Sequence, residues 1–145
     1  MSTTSTTGAP TTADPRTKPG RVVLAGLVAA VVALVGNTLV AQIALAAGAS
    51  EDFTPLTPGA YGFFTVVGVI AGLVGWLLIR RRANAKATLR WLVPAVLIVS
   101  LIPDILVGFS DREGVSWGAV VALMVMHLVV TAAAVVSFSR WMPTD

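Results

Sequence analysis

Two ionisable side chains, Asp104 and His127, stand inside long apolar stretches of this chain. A charge there is costly, so such residues face a bundle interior or a water-filled cavity and mark candidate functional sites. A carboxyl and an imidazole can relay protons, bind a ligand or tie helices together by hydrogen bonds. Asn37 and Gln42 add uncharged polar groups in the first stretch, and Ser100 stands four residues before Asp104. At i, i+4 on a helix, Ser100 and Asp104 share a face, as do His127 and Thr131 and as do Thr38 and Gln42. These five residues, Asp104, His127, Asn37, Gln42 and Ser100, form the candidate buried polar or ligand site.

Other chemistries fit poorly. Met124, Met126 and His127 have the thioether and imidazole types that suit Cu(I), but Met126 points away from the face that Met124 and His127 share. With one His and no Cys in the chain, the ligand set is too thin, and neither a metal nor a cofactor is expected. The absence of Cys also removes disulfides and thiol redox chemistry. Ser100, Asp104 and His127 have the residue types of a nucleophilic triad, yet no oxyanion hole is recognisable beside them. Phosphate-cradling glycine loops and paired catalytic carboxylates are missing, so no enzymatic activity is expected.

Four apolar stretches must position these groups, at about residues 22–47, 60–79, 91–109 and 115–138. Apolar residues make up 56% of the 145 and charged ones 12%. Mean hydropathy is +0.86, outside the range of soluble domains. The first stretch spans about 39 Å at 1.5 Å per residue, more than the hydrocarbon layer, which predicts tilt or protrusion. Its Ala44-Leu45-Ala46 end has the small-x-small form of a cleavage site, but the stretch is far too long for a signal h-region. In the third, twelve Leu, Ile, Val or Phe residues outweigh Asp104. Each contributes about −0.3 to −0.6 kcal/mol, against about +3 kcal/mol for one central Asp. Helix rise places Gln42 with Asp104 about 8 Å from the outer surface, and Asn37 with His127 about 16–18 Å deep. Pro103 frees the carbonyl of Val99, which predicts a hydrated outer cavity beside Asp104.

Charge orients the stretches. Of ten Lys and Arg residues, only Arg112 falls on the flank that carries Glu51, Asp52, Asp111 and Glu113. The other bases occupy the N-terminal tail, the loop with Arg80, Arg81, Arg82, Lys86 and Arg90, and the C-terminal Arg140. By the positive-inside rule both termini are cytoplasmic. The expected fold is therefore an all-α, integral-membrane four-helix bundle in the plasma membrane. Trp76, Trp91 and Trp141 at the inner face, with Tyr61 and Trp117 at the outer, are expected interfacial anchors. Residues 1–20, rich in Ser, Thr, Pro and Gly, form an expected disordered tail. Residues 21–141 form the bundle and 142–145 a short cytoplasmic end. The bases are spread as topology signals, which excludes a nucleic-acid groove but leaves attraction to anionic lipid.

Small residues recur along helix faces: Gly68, Gly72 and Gly75 in the second stretch; Ala25, Ala29, Ala33 and Gly36 in the first. Such rows let helices approach closely in lipid. They predict packing within the bundle, with homodimerisation through an outward second span as the alternative.

Asn37, the Arg80-Arg81-Arg82 end of the second span and Ala122-Leu123-Met124-Val125-Met126-His127-Leu128 carry a family resemblance. With the Ser/Thr-rich tail, they resemble the small four-span actinobacterial membrane proteins filed as a domain of unknown function, over about residues 20–140. The resemblance implies four helices and no particular activity. The expected function is that of a non-enzymatic accessory or envelope-associated factor, acting on a membrane partner through helix–helix contacts in the bilayer. The alternative is a small proton-linked carrier or ligand-binding protein using Asp104 and His127.

Overall fold

A computed structural model describes residues 18–144. Four helices, α1 (Pro19–Ala46), α2 (Pro58–Ile79), α3 (Ala85–Gly108) and α4 (Trp117–Trp141), make up the fold. A short 3-10 turn, Thr54–Leu56, lies between the first two helices, and the described residues contain no strand. All four helices are long and apolar enough to cross a membrane. The chain is a multi-pass membrane protein, all-α as its composition predicts.

The helix ends differ from the apolar boundaries where local chemistry outweighs hydropathy. Pro19 and Gly20, assigned to the tail by composition, are the first residues of α1. Proline suits that position because its fixed φ is helical and the missing N–H would have no intrahelical partner. The rest of the expected disordered tail, residues 1–17, lies outside the described residues. Pro58 begins α2 in the same manner. Helix α3 starts six residues before its apolar stretch, so Lys86 and Arg90 are helical. At α4, the hydroxyl of Ser116 accepts the N–H of Ala119 at 3.2 Å and caps the helix. That helix continues past residue 138 to Trp141, with Arg140 in its last turn, where a cation complements the helix dipole.

Helix α4 is the central strut. It packs most extensively against α1, and also against α3 and α2, whereas α3 touches α2 sparingly. Small residues make up the buried face of α1: Ala25, Ala29 and Ala33 are completely buried, and Asn37 and Ala41 continue the row at four-residue spacing. Between α1 and α4 the approach is close at Gly36, where an added Cβ would lie 2.6 Å from Cγ1 of Val129. The α2 glycines have a lesser part. A Cβ would meet Val130 at 3.5 Å from Gly68 and Phe138 at 3.6 Å from Gly72, both ordinary contacts, and nothing within 4 Å from Gly75. Gly68 and Gly72 are exposed. The i, i+4, i+7 spacing shows that the three share one side of α2, but not that this side is turned toward a neighbour.

Two apolar clusters close the bundle ends. At one end Trp76 donates its indole N–H to the carbonyl of Met142 at 3.0 Å and stacks edge-on against Phe138. Trp76 is thus a buried tie between α2 and α4, not the exposed anchor its position suggested. Tyr61, expected as an anchor at the other end, is buried as well. There Phe53 and Leu56 of the loop after α1 are inserted against Ala41, Tyr61, Ala119 and Leu123. Gly114 makes room for this plug: its φ is +74°, and a Cβ there would lie 2.9 Å from the backbone N of Phe53. The Trp76–Met142 tie gathers Arg21, Arg80, Arg81, Arg82, Lys86, Arg90 and Arg140 at one end of the bundle. Glu51, Asp52, Asp111, Arg112 and Glu113 occupy the other.

Candidate functional site

Asp104 projects from α3 and His127 from α4, and the two meet across the helix pair. His127 Nδ1 lies 2.9 Å from Oδ2 of Asp104. The same Nδ1 lies 3.0 Å from the carbonyl of Leu123, one turn back on α4. A carbonyl only accepts, so the hydrogen of this bond sits on Nδ1. That N–H is aimed at Leu123, and Oδ2 of Asp104, though close, is buried without an aligned hydrogen bond. Among the described residues no hydrogen bond engages Nε2 of the ring. The pair is asymmetric in exposure: the Asp104 side chain is 10% exposed and that of His127 39%. The imidazole therefore stands between a buried carboxyl and the bundle's outside.

The other candidate residues are distributed differently from the two depth levels that helix rise predicts. Asn37 does not pair with His127. Its Nδ2 donates to the hydroxyl of Thr65 on α2 at 2.7 Å, while its Oδ1 is buried and unpaired. One turn outward, the hydroxyls of Thr38 and Tyr61 lie 3.2 Å apart and tie the same two helices. Gln42 is exposed, not buried beside Asp104. It lies one position beyond Ala41 of the buried row, which turns its side chain away from α4. Ser100 is half-buried and donates to the carbonyl of Leu97 at 2.7 Å, satisfying its own helix and not Asp104.

The structure thus brings together Asp104 with His127 on one helix pair, and Asn37 with Thr65 on another. Thr65 is the partner that sequence reasoning missed. It carries the one aliphatic hydroxyl of the second apolar stretch, the one signal that could have flagged it. No group of three or more His, Cys, Asp or Glu residues that could hold a metal occurs among the described residues.

A family model for a family of unknown function matches residues 17–143. The chain belongs to the DUF6069 family. The DUF6069 match takes in all four helices, and with them both polar pairs. No curated protein and no solved structure matches the chain.

Proposed function

We propose that this DUF6069 protein is a non-enzymatic accessory or envelope-associated factor of the plasma membrane, acting through helix–helix contacts with a membrane partner. The observation that carries this reading is the half-exposed His127 in the middle of α4, whose Nε2 makes no hydrogen bond among the described residues. A polar atom turned toward hydrocarbon has no water to satisfy it, and a hydrogen-bonding side chain on a neighbouring helix answers that need. Helix α3, which contacts α4 and little else, leaves the approach to the pair open. The gathering of bases at one end supports an orientation with both termini in the cytoplasm.

Native mass spectrometry of the protein extracted with its surrounding lipid tests the reading. A co-purifying membrane protein at fixed stoichiometry, lost in His127→Leu, is the expected result. A chain that runs alone in both forms would remove the reading. One observation favours a second function, that of a proton-linked carrier or ligand-binding protein: the buried Oδ2 of Asp104 lacks an aligned hydrogen bond beside the imidazole. Under that function a small molecule is retained instead, and Asp104→Asn releases it.

A further inference from the structure

The turn between α2 and α3 and the first two turns of α3 concentrate charge. Arg80, Arg81, Arg82, Lys86 and Arg90 place five cations within eleven residues. Among the described residues no carboxylate forms an ion pair with any of them; the one acid–base contact is that of Asp104 with His127. Lys86 and Arg90 are four apart on α3, a spacing at which like charges repel. Both line an open groove of ≈ 650 Å³ together with Ala83, Asn84, Ala87 and Trp91. Two alanines give the groove little side-chain bulk, two bases give it charge, and Asn84 adds an amide. Trp91 is 78% exposed beside it. An exposed indole at the end of a membrane span sits at headgroup level, which sets the depth of the groove.

We propose that this groove binds the phosphate headgroup of an anionic phospholipid. A phosphodiester carries the charge that relieves the Lys86–Arg90 repulsion and the acceptor oxygens that an ammonium and a guanidinium can share. Lipid is favoured over a soluble anion because the groove opens at the depth of the indole, where headgroups are concentrated and the acyl chains can lie along the apolar surface of α3. Val96, Val99 and Ile102 are exposed on that helix. The site is independent of the partner proposed above, since it occupies the basic end of the bundle and not the middle of α4.

The test is lipid retention by the full chain, read by native mass spectrometry after release from nanodiscs of phosphatidylcholine with a minority of phosphatidylglycerol. The wild type is expected to retain phosphatidylglycerol in preference. K86Q/R90Q should lower that retention about twenty-five-fold, at about fivefold per base. R21Q/R140Q, which removes two bases from the same end but outside the groove, should lower it much less. Equal losses in both variants would show a diffuse field and overturn the site. Ala87→Leu fills the groove while keeping every charge. It should also lower retention, so the proposal does not depend on one variant's folding; full retention in this variant would overturn it. Inorganic phosphate added to lipid-free protein in detergent distinguishes the source. Saturable phosphate binding that K86Q/R90Q abolishes would assign the groove to a soluble anion and overturn the lipid.

Discussion

Two polar contacts cross between helices inside the bundle, Asn37 with Thr65 and Asp104 with His127, and the strength of such contacts in a bilayer is modest. Replacing Thr65 by Val removes the acceptor of Asn37 Nδ2 and keeps the volume. The expected loss is about 0.6 kcal/mol and at most about 1.7 kcal/mol, measured by steric trapping or denaturant unfolding in bicelles. A double-mutant cycle on Asp104→Ala and His127→Ala should return a coupling of similar size, since the two lie 2.9 Å apart. Strict additivity would mean that the side chains do not meet in the membrane. Both residues are legible from sequence alone, because an ionisable group in an apolar run is conspicuous. Their contact is not, because rotation of a helix about its axis depends on the packing of its neighbours. The same limit misplaced Asn37, whose position on α1 was plain but whose partner is a threonine, a residue that membrane helices also tolerate without any partner.

Helix α1 packs most extensively on α4, and a glycine lies where the two come close. Gly36 has no room for a side chain, since a Cβ there would lie 2.6 Å from Val129. Gly36→Leu must therefore push α1 from α4 and should cost about 1–3 kcal/mol, the range for overpacking. Adding Val129→Ala should recover part of that loss; no recovery would place the close approach elsewhere. Gly72→Ala makes only an ordinary contact with Phe138 and should change stability by less than about 0.5 kcal/mol. A second element-level tie, the Trp76 indole to the Met142 carbonyl, joins the ends of α2 and α4. Trp76→Phe should cost about 1 kcal/mol through the lost hydrogen bond and loosen the last turn of α4, read as faster amide exchange at Phe138 and Trp141. Hydropathy located the four elements, but not the turns that extend them. Polar residues such as Lys86 join a helix at little cost once neighbouring turns are ordered, and a hydropathy boundary stops short of them.

Across the whole molecule, two independent asymmetries run along one axis. The basic end is tied by Trp76 and Met142, and the opposite end is plugged by Phe53 and Leu56 beneath the acidic loops. Fold class was legible because long apolar runs and short loops leave a four-pass chain few alternatives. The plug was not, because a phenylalanine in a loop carries no periodicity to mark it as core. Orientation is the property of the whole chain that charge alone predicts, and the absence of cysteine makes it directly measurable. Ala83→Cys and Asp111→Cys each introduce one thiol at an exposed position, at opposite ends of the bundle. Replacing an acid is a small perturbation here, since Asp and Glu contribute little to topology. A membrane-impermeant maleimide should label Asp111→Cys in intact cells and Ala83→Cys only after permeabilisation. Labelling in the reverse order would place the bases outside, against the positive-inside rule, and would move the Lys86–Arg90 groove to the outer leaflet.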